Sequence, residues 1–251
     1  MSVDAGGALA PSPGRPAFVA VIVALGVERQ CFRDRRCRPE AIGLHQCGPG
    51  GARAAAAAEA AVAQGAKALL SWGIAGGLVP DANPGALLLP KVVVKLDGAR
   101  FAVDEAWHAR LADALGGRFS VLERPLLAAG DVLRTPAHKA EAAAAHGAAG
   151  VDLESGAVAE TAARADIPFV VVRAVADAVS DTLPPGIEDW IDGDGNPRFA
   201  AVAGAVLKPQ HWSALWVLTQ RYRAARRTLG AAALALAPDA FLFPQDALLE
   251  A

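Results

Sequence analysis

The sequence predicts an α/β protein, a three-layer αβα sandwich around a central, twisted, mixed sheet. Short apolar runs bounded by turn formers alternate along the chain with longer stretches rich in Ala, Glu, Gln and Arg. The apolar runs are continuous instead of alternating with polar residues, which marks strands covered on both faces. No long linker, charge run or internal repeat divides the 251 residues, a length that suits one large core. Residues 17–251 are therefore read as a single domain. Residues 1–16, small and rich in Pro and Gly, are read as a disordered lead-in.

The first strand is predicted over Ala17–Leu25, the longest clean apolar run and far short of the roughly 20 residues that cross a membrane. A helix over Ala52–Gln64 follows from its helix-forming composition. The second strand, Ala68–Trp72, runs into Gly73-Ile74-Ala75-Gly76-Gly77, and a third is predicted over Leu87–Val94. Helices are then expected over Trp107–Leu115, Pro136–His146 and Ser155–Ala165, before a last β-branched strand at Pro168–Val175. A final helix, Trp212–Leu229, places Leu215, Leu218, Tyr222 and Ala225 on one face. Arg221, Arg223, Arg226 and Arg227 cluster toward its C-terminal end, where the dipole favours them. Beyond it, Ala231–Ala237 and Phe241-Leu242-Phe243 read as an apolar tail interrupted by Pro238 and Pro244.

Composition narrows the function. A formal net charge of −2 argues against a nucleic-acid partner, which calls for a concentrated basic excess. Cys31, Cys37 and Cys47 lack the close pairing of a zinc site, so no metal is expected, nor any cofactor. His45 near Cys47 allows a thiol nucleophile, but free cysteine is more often a small buried hydrophobe. No secretory signal is visible, so a reducing cytoplasm is the expected compartment.

Ligand sites in such sheets lie where strands end and the chain turns into the next helix. The first strand ends at Gly26-Val27-Glu28, the second in the glycine run, and the last at Ala176-Asp177. A fourth candidate is Cys47-Gly48-Pro49-Gly50-Gly51, where Gly48, Gly50 and Gly51 open the Ala52 helix and could hold an anion on backbone N–H groups. Each has a plainer reading: glycines for turns, Glu28 as a first-turn carboxylate, Asp177 as a helix cap. Convergence favours function. Glu28 and Asp177 fall at one sheet edge, and Glu154 enters beside them through Val151-Asp152-Leu153-Glu154. Paired carboxylates suit acid–base chemistry on an oxocarbenium-like transition state.

Three segments, in this order, resemble the purine nucleoside phosphorylase and methylthioadenosine/S-adenosylhomocysteine nucleosidase superfamily. They are Ser71-Trp72-Gly73-Ile74-Ala75-Gly76-Gly77-Leu78, Val151-Asp152-Leu153-Glu154-Ser155, and Phe169-Val170-Val171-Val172-Arg173-Ala174-Val175-Ala176-Asp177. The resemblance extends from Ala17 to about Leu229. Leu183-Pro184-Pro185, Asp192-Gly193-Asp194-Gly195 and Pro209-Gln210 are similar to one subgroup, the hopanoid-associated phosphorylases or adenosylhopane nucleosidases.

The superfamily resemblance implies a nucleoside phosphorylase-like fold and cleavage of a purine N-glycosidic bond. It casts Asp177 as the acid that protonates purine N7, which requires burial to raise its pKa. It places Glu154 on the ribose 2′ and 3′ hydroxyls and Leu153 against the sugar. Glu28 becomes the base that activates water, and Arg173 the residue that helps hold that glutamate and the water, with phosphate as the alternative nucleophile at ribose C1′. Ile74, Ala75 and Gly76 would face the base and sugar, with Asp131 and Leu133 in the purine-pocket segment. Ile74 stands where a Ser or Thr is common, Ala176 where a Ser is, Asp152 where a Glu is, and Ser155 where an Ala is. Arg53 reads more readily as a solvated helix residue than as a phosphate ligand.

The subgroup resemblance implies adenosylhopane as substrate, adenine as product, and peripheral contact with the inner membrane through the apolar C-terminal region. A homodimer or larger homo-oligomer is the default assembly. Two rivals stand beside this reading: the same chemistry on a small soluble nucleoside such as methylthioadenosine, and a non-catalytic nucleotide-binding module.

Overall fold

A computed structural model describes residues 18–33, 41–196, 198, 212–237 and 239–241. The lead-in at 1–16, Cys37, Pro209-Gln210, Pro238 and the Leu242-Phe243-Pro244 stretch fall outside them. The strands are β1 (Phe18–Val23), β2 (Ile42–Gln46), β3 (Ala66–Gly77), β4 (Leu87–Leu88), β5 (Val92–Lys95), β6 (Arg100–Ala102), β7 (Val121–Leu122), β8 (Leu126–Ala128), β9 (Gly150–Asp152) and β10 (Phe169–Asp177). The helices are α1 (Gly26–Arg29), α2 (Gly51–Ala63), α3 (Glu105–Leu115), α4 (Pro136–His146), α5 (Ser155–Ala165) and α6 (Trp212–Leu236).

All ten strands join one mixed sheet, in the order β6-β5-β8-β9-β3-β10-β4-β7, with β1 on β3 and β2 on β1. Side-chain alternation splits the interior into two layers. Val19, Val21, Val23, Trp72, Val170 and Val172 face α3 and α6, where they meet Trp107, Leu111, Ala225, Leu229 and Leu236. Ala20, Ile22, Leu69 and Val171 face the opposite way, onto Ala54, Ala58 and Ala61 of α2 and Val158, Ala159 and Ala162 of α5. The predicted sandwich is what forms.

Local chemistry accounts for the helix starts. The Asp104 side chain accepts from Trp107 N at 2.8 Å to open α3, and Thr135 accepts from His138 N at 3.2 Å to open α4, with Pro136 in its first turn. Helix α6 runs seven residues beyond the predicted Leu229 end. Its alanines favour helix, and Ala232, Ala233 and Leu236 are buried against the Trp72, Trp107 and Phe241 layer. The predicted apolar tail is therefore largely the last turns of this helix.

Two strand expectations change. The predicted Leu87–Val94 strand divides at Pro90, which has no N–H for a ladder. Its first half, β4, pairs with β10 and β7, and its second, β5, with β6 and β8. The second strand instead continues through the glycine run to Gly77, because its edge acquires a new partner there. Strand β1 lies parallel to β3 as far as Ser71. Strand β9 takes over, antiparallel, at Gly76 and Gly77. Between those two partners the edge of β3 is open, and the chain leaving β9 delivers Leu153 and Glu154 into the gap. The first, second and last predicted strands end around this fork.

Candidate active site

A cavity of about 390 Å³ occupies the fork, a size usual for small-molecule sites. Glu28, Gly50, Ile74, Ala75, Gly76, Asp131, Leu133, Leu153, Glu154 and Asp177 all line it. Arg173, Gly48 and Gly51 lie outside its wall. Of the lining groups, Asp131 is exposed, whereas Glu28, Glu154 and Asp177 are buried.

Glu28 sits on the single turn of α1, directly beyond β1. Its Oε2 accepts from Ala24 N at 2.8 Å and Leu25 N at 2.9 Å, and its Oε1 from Ile74 N at 2.9 Å. The first pair is a helix-start carboxylate reaching back to its own entry. The third bond is different in kind, since it uses an N–H on the open edge of β3. The plain reading and the functional one are therefore both satisfied by one side chain. Burial raises the Glu28 carboxyl above its ordinary value, opposed by the Arg173 charge and the three backbone donors.

Gly73 makes this approach possible. A Cβ there would lie 2.2 Å from Arg173 Nη1 and 2.3 Å from Glu28 Oε1, closer than any side chain tolerates.

Arg173, on β10, is fully enclosed and does not grip Glu28 through the contact expected of it. Its Nη2 lies 2.6 Å from Asp152 Oδ2 and donates to Ser71 Oγ at 2.8 Å and Ser155 Oγ at 3.1 Å. Asp152 also accepts from Ser155 Oγ and, at 3.2 Å, from Ser155 N. The guanidinium is thus anchored to the start of α5 and acts on Glu28 as a nearby charge. Ser155 and Asp152, noted in the sequence only as departures from a pattern, are its principal partners.

Glu154 reaches across to α2. Its Oε1 accepts from Gly50 N at 2.9 Å, and its Oε2 is 3.7 Å from Arg173 Nη2. Burial pushes its carboxyl up to about 7, against the pull of Arg173 and with a further push from Asp152. The Gly50 N–H, a candidate donor for an external anion, is thereby taken by a carboxylate of the chain itself. Gly48 packs beside the carbonyl of Gly193, and exposed Arg53 lies over the same glycine. The glycine-rich turn therefore serves Glu154 and the 193–195 loop.

Asp177 ends β10 and caps no helix. Its partner is Lys139 of α4, whose ammonium pairs with Oδ2 and also donates to Ala178 O at 2.8 Å and Asp181 O at 3.3 Å. Burial raises the Asp177 carboxyl, while Lys139 and then Arg221 pull it down. Lys139 escapes sequence reasoning because a lysine on an Ala-rich helix reads as solvated. Its one signal is its place three residues before Ala142, the other buried position of α4. Leu183, Ile187 and Ile191, beyond the Asp177 motif, form an apolar wall; of these the sequence marks only Leu183, in Leu183-Pro184-Pro185, and gives it no place in the site.

The thiol of Cys47 donates to Gly48 O at 3.1 Å and Val23 O at 3.4 Å. Burial and the charges of Glu154 and Glu28 push it up to about 12, which removes it as a nucleophile at neutral pH. Among the described residues, no group of three or more His, Cys, Asp or Glu could hold a metal ion.

The profile of the phosphorylase superfamily matches residues 39–208. A comparison with curated proteins finds no match. Among solved structures, the chain is similar to the 5′-methylthioadenosine/S-adenosylhomocysteine nucleosidase of Neisseria meningitidis in complex with methylthio-immucillin-A. The TM-score is 0.65 at 17% identity, over 87% of this chain and 98% of that one. It is similar to the futalosine hydrolase of Helicobacter pylori, with TM-score 0.65 and 13% identity over 86% of this chain and 97% of the other. The corresponding values for the methylthioadenosine/S-adenosylhomocysteine nucleosidase of Campylobacter jejuni are 0.63, 12%, 87% and 99%. At these identities the likeness speaks to the fold. The extent of the profile match speaks to the family: the chain belongs to the phosphorylase superfamily.

Proposed function

We propose that the protein cleaves the N-glycosidic bond of an adenine nucleoside by attack of water at ribose C1′. Asp177 protonates the departing base, Glu28 takes the proton of the water, and Glu154 binds the ribose hydroxyls. One observation carries this reading: three buried carboxyls, from three different elements, line a single cavity, beside a fourth, Asp152, that is bound to Arg173. A carboxylate within reach of the sugar also stabilises positive charge growing on the ring.

Water is favoured over phosphate by the same geometry. A phosphate at C1′ would meet Glu28 and Glu154 in a site where like charges repel strongly. The two buried cations nearby, Arg173 and Lys139, are already paired with Asp152 and Asp177. The Gly50 N–H is spent on Glu154.

Adenosylhopane is the proposed substrate. Its support is the subgroup resemblance together with the Leu183, Ile187 and Ile191 wall, which suits an apolar 5′ substituent. A volume of about 390 Å³ suits a nucleoside, so the triterpenoid would extend beyond it. Trp216, 65% exposed, and exposed Val217 on α6 support contact with the bilayer that supplies such a lipid. The same volume also suits a smaller nucleoside, such as those named for the similar structures. One assay separates these readings. Adenine release is followed with adenosylhopane in phosphatidylglycerol vesicles and with free methylthioadenosine, each with and without phosphate, alongside flotation of the protein with the vesicles. The expected result is phosphate-independent release, faster from adenosylhopane, with co-flotation. Strict phosphate dependence would remove the water-activating role of Glu28. Preference for methylthioadenosine would make this a nucleosidase of small substrates.

A further inference from the structure

The buried lysine of α4 has no part in the chemistry assigned so far. Lys139 is completely enclosed, and each of its three N–H donors has an acceptor. Burying an ammonium is costly unless it is paired and hydrogen-bonded, so a lysine whose one carboxylate partner among the described residues is Asp177 calls for a reason. The neighbouring carboxylate is engaged elsewhere. Asp181 pairs with Arg221 of α6 and accepts from Ala178 N at 2.8 Å, presenting only its backbone carbonyl to Lys139. The charged groups facing Asp177 are therefore Lys139 from α4 and, farther off, Arg221 from α6.

We propose that Lys139 is a positioning residue for the proton transfer, fixing one oxygen of Asp177 so that the other meets the base, and remaining as counter-ion to the carboxylate that the transfer creates. This rests on the assignment of Asp177 as the acid. In the step, the proton leaves the Asp177 carboxyl for N7 while the electron pair of the bond between C1′ and N9 passes into the purine. Water forms the new C1′–O bond and gives a proton to Glu28. Lys139 keeps its own proton throughout; after the base departs, Glu28 gives its proton up to solvent and Asp177 regains one from it, so both return to their starting states. The ammonium makes Asp177 a stronger acid by stabilising its conjugate base. The backbone of Ala178 and Asp181 supplies the other two acceptors, which fixes the direction of the Nζ–H that meets Asp177.

The test compares two leaving groups. Adenine needs N7 protonation to depart, whereas an N7-methylated purine is already cationic and needs none. Lys139→Met is expected to lower kcat on the adenine nucleoside by roughly 10- to 100-fold, the range of a misplaced catalytic group. It should leave the N7-methylated nucleoside within a few-fold of wild type. Its basic pH limb on the adenine nucleoside should also move to higher pH, because a carboxyl that loses a neighbouring cation holds its proton longer. If burial makes the Met variant fail to fold, Lys139→Gln, which keeps a hydrogen-bond donor without the charge, carries the same two readouts. An equal loss on both substrates with an unmoved pH limb would reduce Lys139 to a structural residue and overturn the proposal. Asp177→Asn is the control. If it shows the split between substrates and Lys139→Met does not, the lysine proposal falls alone. If Asp177→Asn shows no split, the acid assignment falls first.

Discussion

At the β1 end of the cavity a carboxylate is held by backbone; at the β10 end a carboxylate is held by a side chain. Glu28 takes three main-chain N–H groups, two from its own entry turn and one from the open edge of β3. Asp177 takes the ammonium of Lys139, delivered from a helix 38 residues earlier in the chain. Both carboxyls are buried, and burial raises both. The unbonded charge of Arg173 and three backbone dipoles compensate the first, and a directly bonded ammonium the second. In the proposed reaction both groups change charge in each turnover: the base would be tied to the sheet in register with water, and the acid would have a bonded counter-ion at hand.

The comparison breaks most visibly under substitution of the two carboxyls. Asp177→Asn and Glu28→Gln are each expected to lower kcat by roughly 10²- to 10⁴-fold, the range for general acid–base groups. Their pH profiles should differ. Activity that needs Glu28 ionised rises with pH through its raised value, so Glu28→Gln should abolish the acidic limb. Activity that needs Asp177 protonated falls as pH rises, so Asp177→Asn should abolish the basic limb. Full pH–rate curves for both variants on one adenine nucleoside check this. Loss of the same limb in both would mean that the two ends do not carry opposite roles.

A smaller effect tests the backbone-built end alone. Gly73→Ala puts a methyl group where Arg173 Nη1 and Glu28 Oε1 already stand. Overpacking of this kind costs about 1–3 kcal/mol of stability, and here it also displaces Glu28, the proposed base. Turnover should fall while Asp177 and Lys139 stay in place. Thermal melting and kcat measured together decide the point, and an unchanged kcat would separate Glu28 from the reaction. Gly50→Ala makes a useful contrast. Its Cβ meets nothing within 4 Å, and only its φ of 104° resists the change.

These two ends were not equally legible in the sequence. Glu28, Gly73 and Gly76 announce themselves because backbone-built sites need strand ends and small residues, both of which are local patterns. The same glycines read as the end of the second strand, whereas they continue it to Gly77 and leave its edge open between two partners. Lys139 lies on a helix whose composition describes solvent exposure, and only the packing of α4 over β10's end turns it inward. Arg173 shows a related limit. The motif marks it as important, but whether it meets Glu28 or Asp152 depends on how β9 and α5 pass the end of β3. Strands of two or three residues, such as β6, β7, β8 and β9, lie below any periodic signal, and tertiary pairing alone makes them strands.

Between the two ends stands Glu154, compensated partly by backbone and partly by charge, and its titration gives the subtlest test of the comparison. Its carboxyl rises from an ordinary value of 4.5 to about 7, chiefly through burial. A carboxyl raised on folding binds more protons in the native state than in the unfolded one across that interval. Stability from this group is therefore greatest at low pH and declines as pH rises from about 4.5 through 7, with no further change above. Under the role proposed for Glu154, substrate binding should run the other way, since the ionised form is the one that would grip the ribose hydroxyls. KM for the adenine nucleoside should fall as pH rises through about 7, while kcat keeps the limbs set by Glu28 and Asp177. Glu154→Gln should flatten both dependences, leaving KM raised at every pH and removing this group's slope from the stability curve. A KM that remains pH-dependent in Glu154→Gln would move the titrating group to one of the two ends.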